Sequence, residues 1–271
     1  MIQKTFEILH EPAPLFRLVL EVGEMQLVVT TQNEENTPGK NFEFFSFGKK
    51  DNFENVLNEI REQSSLLDKK YQQVKIVWSN SLAQCVPSAV FSEEIAEAVY
   101  QNLKNGLTDN KNLLCKNSSI TLPYLVNRHQ FEVLASHFID AEYTHKYLEI
   151  INHFENFSSS EKTVILVVFY QGHFIICAKQ NNQLQFINSL DFSSGTDAVY
   201  HILNAVKQLN AEISETRVIL SGLIDGDSPL FNEIYKYVPI IDVDAAQNAL
   251  FLNSDFSEYP SHYFVPFFKY V

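Results

Sequence analysis

The chain has 271 residues, 45% of them hydrophobic, 13% aromatic and 20% charged, which excludes a disordered chain and leaves enough apolar material for two domains. Twenty Lys and Arg against 33 Asp and Glu give a net charge of -13, which excludes a nucleic-acid backbone or an anionic membrane surface as default partner. No apolar run approaches the ~20 residues of a membrane span, and the opening "MIQKTFEILHEPAP" lacks the basic start and apolar stretch of a secretory signal, so a soluble, cytoplasmic chain without membrane insertion is expected.

In chain order, Leu15 to Thr31 predicts a hairpin of two apolar strands about Gly23, and Phe42 to Gly48 a third strand. A helix is expected to open at Asp51, with Glu54 as its reciprocal cap and Phe53, Val56, Leu57 and Ile60 on one face. Residues 71–119 read as an insertion: a strand "QVKIVWS", the segment "LAQCVPSAVF", a helix from Ser92 to about Lys104 and a short strand near Leu113 to Lys116. Beyond it come a strand from Leu122 to Asn127, a helix near Gln130 to Phe138, the strand "AEYTH" and the helix "KYLEIINHF". The Ser-rich stretch Glu155 to Lys162 marks a linker, giving domains 1–157 and 158–271.

The second half repeats the order. Thr163 to Lys179 predicts a hairpin about Gly172, Leu184 to Leu190 a third strand, and a helix from near Thr196 carries Val199, Ile202, Leu203, Val206 and Leu209 on one face. Gly23 and Gly172 are each expected to supply the positive φ of a tight turn. A strand from Thr216 to Gly222 leads to a helix near Pro229 to Tyr237, with Ser228 as cap and Pro229 at its first position. The strand "VPIIDV" and the helix "DAAQNALFL" follow, and "HYFVPFFKYV" is expected to close the fold as a buried strand, confined to an edge by Pro260 and Pro266, or to dock a partner.

The unit β-β-β-α-β-α-β-α thus occurs twice. Two such units resemble the actin-like ATPase fold, two tandem ribonuclease H-like domains facing a cleft, and the insertion in the first is similar to the extra subdomain of pilus-assembly and cell-division actin-like proteins. More narrowly, "CVPSAVFSEEIAEAVY", the spacing of the hairpins and the length resemble a family of uncharacterised Bacteroidetes proteins with that fold.

The resemblance implies a nucleotide held by two hairpin turns carrying Asp-x-Gly and by a Gly-Gly turn, with the aspartates holding Mg²⁺ or orienting water. Here Glu21 stands two before Gly23, Tyr170 two before Gly172, and "LSGLIDGDSP" offers Ser221, Gly222, Gly226 and Ser228 without an adjacent glycine pair. Glu21, Gly23, Gly172, Ser221 and Gly222 therefore read as a vestigial nucleotide cleft, with no catalytic residue, metal ligand or cofactor assigned. The expected role is a non-hydrolysing scaffold whose cleft or surface engages another protein or binds a ligand without turnover, in which Glu21→Ala leaves function largely intact. The alternative is a nucleotide-binding actin-like ATPase using ATP and magnesium in an atypical cleft.

Other chemistries find less support. A ribonuclease H-like nuclease needs several converging carboxylates, where the first strands offer only Arg17 and Glu21. His129, His137, His145 and His153 recur every eight residues, but a strand interrupts the helical register, so no shared metal site is expected. Asp225, Asp227, Asp242 and Asp244 read as caps and loop residues, and Cys85, Cys115 and Cys177 as reduced thiols, Cys177 in the core.

Overall fold

The computed structural model describes residues 2–9, 16–32, 38–48, 51–155, 157, 159–244 and 259–269. The chain divides into two compact units, one up to Glu149 and one from Ile150, a division that falls ahead of the 157/158 boundary marked by the Ser-rich stretch.

The first unit runs β1 (Gln3–Ile8), β2 (Arg17–Gly23), β3 (Gln26–Gln32), β4 (Pro38–Ser46), α1 (Phe53–Gln63), β5 (Gln73–Ser79), β6 (Val86–Pro87), α2 (Glu93–Lys104), β7 (Asn110–Lys116), β8 (Ile120–Asn127), α3 (Arg128–His137), β9 (Glu142–His145) and the start of α4 (Lys146–Glu155). Its main sheet has the order β1-β4-β3-β2-β5-β9, antiparallel through β2 and parallel beyond it. β2 and β3 are buried along almost their whole length, which is why they read as unbroken apolar runs rather than alternating ones. β1 carries a half-buried alternation, with Phe6 and Ile8 turned inward and Thr5 and Glu7 outward, and it adds an edge that the reading of the chain from Leu15 did not include.

Two strand placements are corrected. Gln73–Ser79, expected in the insertion, follows α1 and pairs in parallel with β2, while Leu122–Asn127, expected in the repeated unit, forms part of β8 in a separate small sheet β6-β8-β7. Both runs are apolar and bounded by turns, so local pattern does not distinguish them; the crossover through α1 carries the chain to the free parallel side of β2. α2 covers one face of the small sheet, Ala96 and Tyr100 packing with Leu125.

The second unit holds β10 (Thr163–Phe169), β11 (His173–Gln180), β12 (Gln183–Asp191), α5 (Gly195–Gln208), β13 (Thr216–Gly222), α6 (Pro229–Tyr235), β14 (Ile240–Val243) and α7 (Val265–Phe268), with sheet order β12-β11-β10-β13-β14. Val199, Ile202 and Val206 of α5 pack on Ile165, Val167, Phe174 and Ile176, while Leu203 and Leu209 sit at the margin of that core. Ser194 and Ser228 cap α5 and α6 by accepting the N–H of Asp197 and Phe231.

Three further expectations change. The cap of α1 is Asn52, which accepts the Asn55 N–H, while the Asp51 carboxylate accepts the N–H of Gly48 instead. The closing segment is a 3-10 turn at Ser261–Tyr263 followed by α7, not a strand; Pro266 sits in the first turn of α7, where its missing N–H has no intrahelical role, and Val265 to Phe268 are all buried. The helix expected over "DAAQNALFL" lies, after Asp244, outside the described residues.

Candidate functional site

Glu21 lies two residues before the end of β2, opposite Val28 of β3 and Val77 of β5, and Val77 is opposite Thr144 of β9. Paired residues share a face, so Glu21, Val77 and Thr144 point the same way, as does Lys75 two positions back. α4 starts immediately after β9 with Lys146, whose ammonium donates to Glu21 Oε2 at 2.6 Å. One turn on, Glu149 pairs with Lys75 at 3.0 Å. The Lys146 and Glu21 side chains are 0% and 2% exposed, so each charge has exchanged water for its partner. Burial pushes the Lys146 ammonium below the usual lysine range, and the adjacent Glu21 carboxylate opposes that fall.

Gly23 does not supply a positive φ: the described glycines in that region are Gly106, Gly172 and Gly222. The turn forms without it, and the space above Gly23 belongs to Gln26, whose Cγ would lie 2.8 Å from a Cβ at position 23. The first hairpin turn is therefore covered by a side chain rather than open to a phosphate.

On the opposite face of β9, His145 is fully buried between Tyr124 and Tyr147, with ring centroids 5.1 and 4.7 Å away. Its Nδ1 accepts the Tyr147 N–H at 3.1 Å, which places the ring proton on Nε2. Burial lowers its pKa to about 3, with the backbone of Asn80 pulling the other way, so the ring is held neutral.

In the second unit Gly172 takes φ +80° and a Cβ there would meet nothing within 4 Å, so the turn uses glycine for conformation alone. Tyr170 stacks on His173 across it, centroids 4.9 Å apart and planes 1° from parallel. Gly222 is different: it has φ +81°, and a Cβ would lie 2.2 Å from the carbonyl oxygen of Phe169, which also accepts the Leu223 N–H at 2.9 Å. Ser221 is fully buried beside it. The structure thus brings Gly172, Ser221 and Gly222 to one end of the second sheet, and Glu21 with Gly23 to the corresponding end of the first.

The residues that decide the first site are Lys146, Lys75, Glu149 and Gln26, none of which the sequence reading chose. Their signal was a charge inside an apolar strand: Glu21 in "LVLEVG" and Lys75 in "QVKIVWS" each need a partner if buried. Asp242 and Asp244 are ion-paired rather than caps, to Arg217 at 2.6 Å and Lys269 at 2.9 Å. Cys177 is buried on β11, and burial raises the Cys85 and Cys115 thiols to about 12 and about 11. Among the described residues no group of three or more His, Cys, Asp or Glu is placed to hold a metal ion, and no helix is long and apolar enough to cross a membrane.

Two solved structures define the class. A Bacteroides thetaiotaomicron protein with actin-like ATPase fold and unknown function superposes with TM-score 0.75 at 17% identity, over 84% of this chain and 90% of that one. The PilM–PilN type IV pilus biogenesis complex matches with TM-score 0.61 at 10% identity, over 95% of this chain and 98% of that one. The protein has the actin-like ATPase fold. Residues 4–241 match the family DUF3822, a protein of unknown function, and the chain belongs to that family. No curated protein matches it in sequence.

Proposed function

We propose that this protein is a non-hydrolysing member of the actin-like ATPase fold, a cytoplasmic adaptor that engages a protein partner. The observation that carries this reading is the Lys146–Glu21 pair: the one carboxylate at a nucleotide-type hairpin position is buried and held by an ammonium at 2.6 Å. A carboxylate so engaged has no free charge for Mg²⁺, and the position two before Gly172 is Tyr170, which has none at all. Gln26 over Gly23 and the Phe169 carbonyl against Gly222 take the approach that a phosphate needs to backbone N–H groups. The partner half of the reading rests on the PilM–PilN complex, in which a protein of this fold is joined to another protein.

The test is thermal unfolding with 1 mM ATP or ADP and excess Mg²⁺. A ligand present at 100 times its Kd stabilises the folded state by about 2.7 kcal/mol, roughly 5–10 °C for a chain of this size. The expected result is no shift and no phosphate release. A shift of that size would return the protein to the nucleotide-binding class.

A further inference from the structure

Glu21 Oε1, Gln26 Nε2 and Ser79 Oγ are buried and make no hydrogen bond to the described protein atoms, in residues only 2%, 6% and 6% exposed. Register places all three side chains on one face of the sheet, at the turn end of β2. Ser79 is paired with Gly23 across β5 and β2, Glu21 is two residues before Gly23 on the same face, and Gln26 Nε2 lies 3.5 Å from where a Cβ of residue 23 would be. The Gln26 stem folds over Gly23 and fills the place a side chain would take there, so what the three polar atoms bind lies beside that stem, toward Glu21 and Ser79.

We infer that this point is a binding site for one internal water, which accepts from the Gln26 amide and the Ser79 hydroxyl and donates to the uncommitted oxygen of Glu21. Three hydrogen bonds is the usual complement of a buried water, and a buried polar group left without a partner destabilises the fold. Charge selects the guest. The carboxylate and the Lys146 ammonium 2.6 Å from it sum to zero, so an anion meets Glu21 Oε1 and a metal cation meets the ammonium, whereas a neutral dipole meets neither penalty. The inference deepens the reading of a closed first hairpin and rests on it, naming what the three polar atoms beside Gly23 bind.

The test is a crystal structure of the full chain, without nucleotide or Mg²⁺, at a resolution that fixes ordered solvent. A single peak about 3 Å from Glu21 Oε1, Gln26 Nε2 and Ser79 Oγ is expected. Direct bonds among the three side chains with no peak between them, or a peak with the anomalous signal of a metal, overturns it. In solution, oxygen-17 relaxation dispersion should count one fewer long-lived water in Gln26→Leu/Ser79→Ala than in the wild type; an equal count overturns it. Gln26→Leu alone serves if the double variant does not fold. A nucleotide-induced thermal shift alongside the peak in the ligand-free crystal would sink the adaptor reading while leaving the water in place.

Discussion

Lys146→Met removes the ammonium that neutralises Glu21 and leaves a carboxylate, 2% exposed, with no opposite charge in contact. Breaking a buried pair from one side costs about 3–5 kcal/mol, because the desolvation of the remaining charge is no longer offset. Glu21→Leu takes the contacting carboxylate from an ammonium whose pKa burial already lowers, so part of that cost is relieved by loss of its proton. Replacing both, Glu21→Leu with Lys146→Met, removes the two charges together, and similar apolar volumes are often neutral or stabilising by about 1–4 kcal/mol. The double variant is therefore expected to be more stable than Lys146→Met alone by several kcal/mol. Urea unfolding of the four proteins, with m-values checked for constancy, measures the cycle. Additive single costs, or a cost below about 1 kcal/mol for Lys146→Met, would refute the reasoning. The same geometry revises Glu21→Ala: silent in a scaffold on sequence grounds, it is a stability variant here, and lost activity in it would say nothing about nucleotide chemistry.

The two glycines at the end of the second sheet should part company. Gly172→Ala, at φ +80° with open space, is expected to cost about 1–2 kcal/mol, whereas Gly222→Ala, whose methyl would overlap the Phe169 carbonyl, is expected to cost about 4 kcal/mol or more; equal costs would contradict the close approach. His145, neutral in the folded protein with a pKa of about 3 against 6.5 for the free ring, contributes stability that is complete above pH 6.5 and is lost as pH falls toward 3. Between pH 7 and pH 5 the loss is about 2 kcal/mol, measured by urea unfolding, and His145→Gln should flatten that dependence. His153, lowered to about 4 by burial and the nearby Lys269, shifts in the same direction. Lys179 donates to the carbonyls of Phe154 and Glu155 in the last turn of α4 and of Phe157 just past it, at 2.9, 3.2 and 3.1 Å, so Lys179→Met should cost about 1.5–3 kcal/mol and raise hydrogen exchange in that turn; an unchanged exchange pattern would count against a capping role.

The residues that carried the repeat were local ones. Phe53, Val56, Leu57 and Ile60 form one buried helical face, and Thr163 to Lys179 fold back about Gly172, because side-chain period and glycine conformation act within a few residues. Gly23 shows where that reasoning stops: a glycine at a hairpin suggests a left-handed turn, and the chain turns there without Gly23 taking that conformation, while the Gln26 side chain lies against it. The closing "VPFF" shows it again, since a buried run of aromatics satisfies a strand or a short helix alike until the proline's place in the turn is known.

By itself the sequence determined the two hairpins, the strand and helix that follow each of them, and the loss of a carboxylate before Gly172, because each depends on residues adjacent in the chain or a few positions apart. Only the tertiary structure decided that Gln73–Ser79 belongs to the main sheet and that Glu21 is paired with Lys146, 125 positions away. Such a pairing follows from which strand ends lie side by side in the sheet and from the cost of leaving a charge without water. Neither is set until the strands have met.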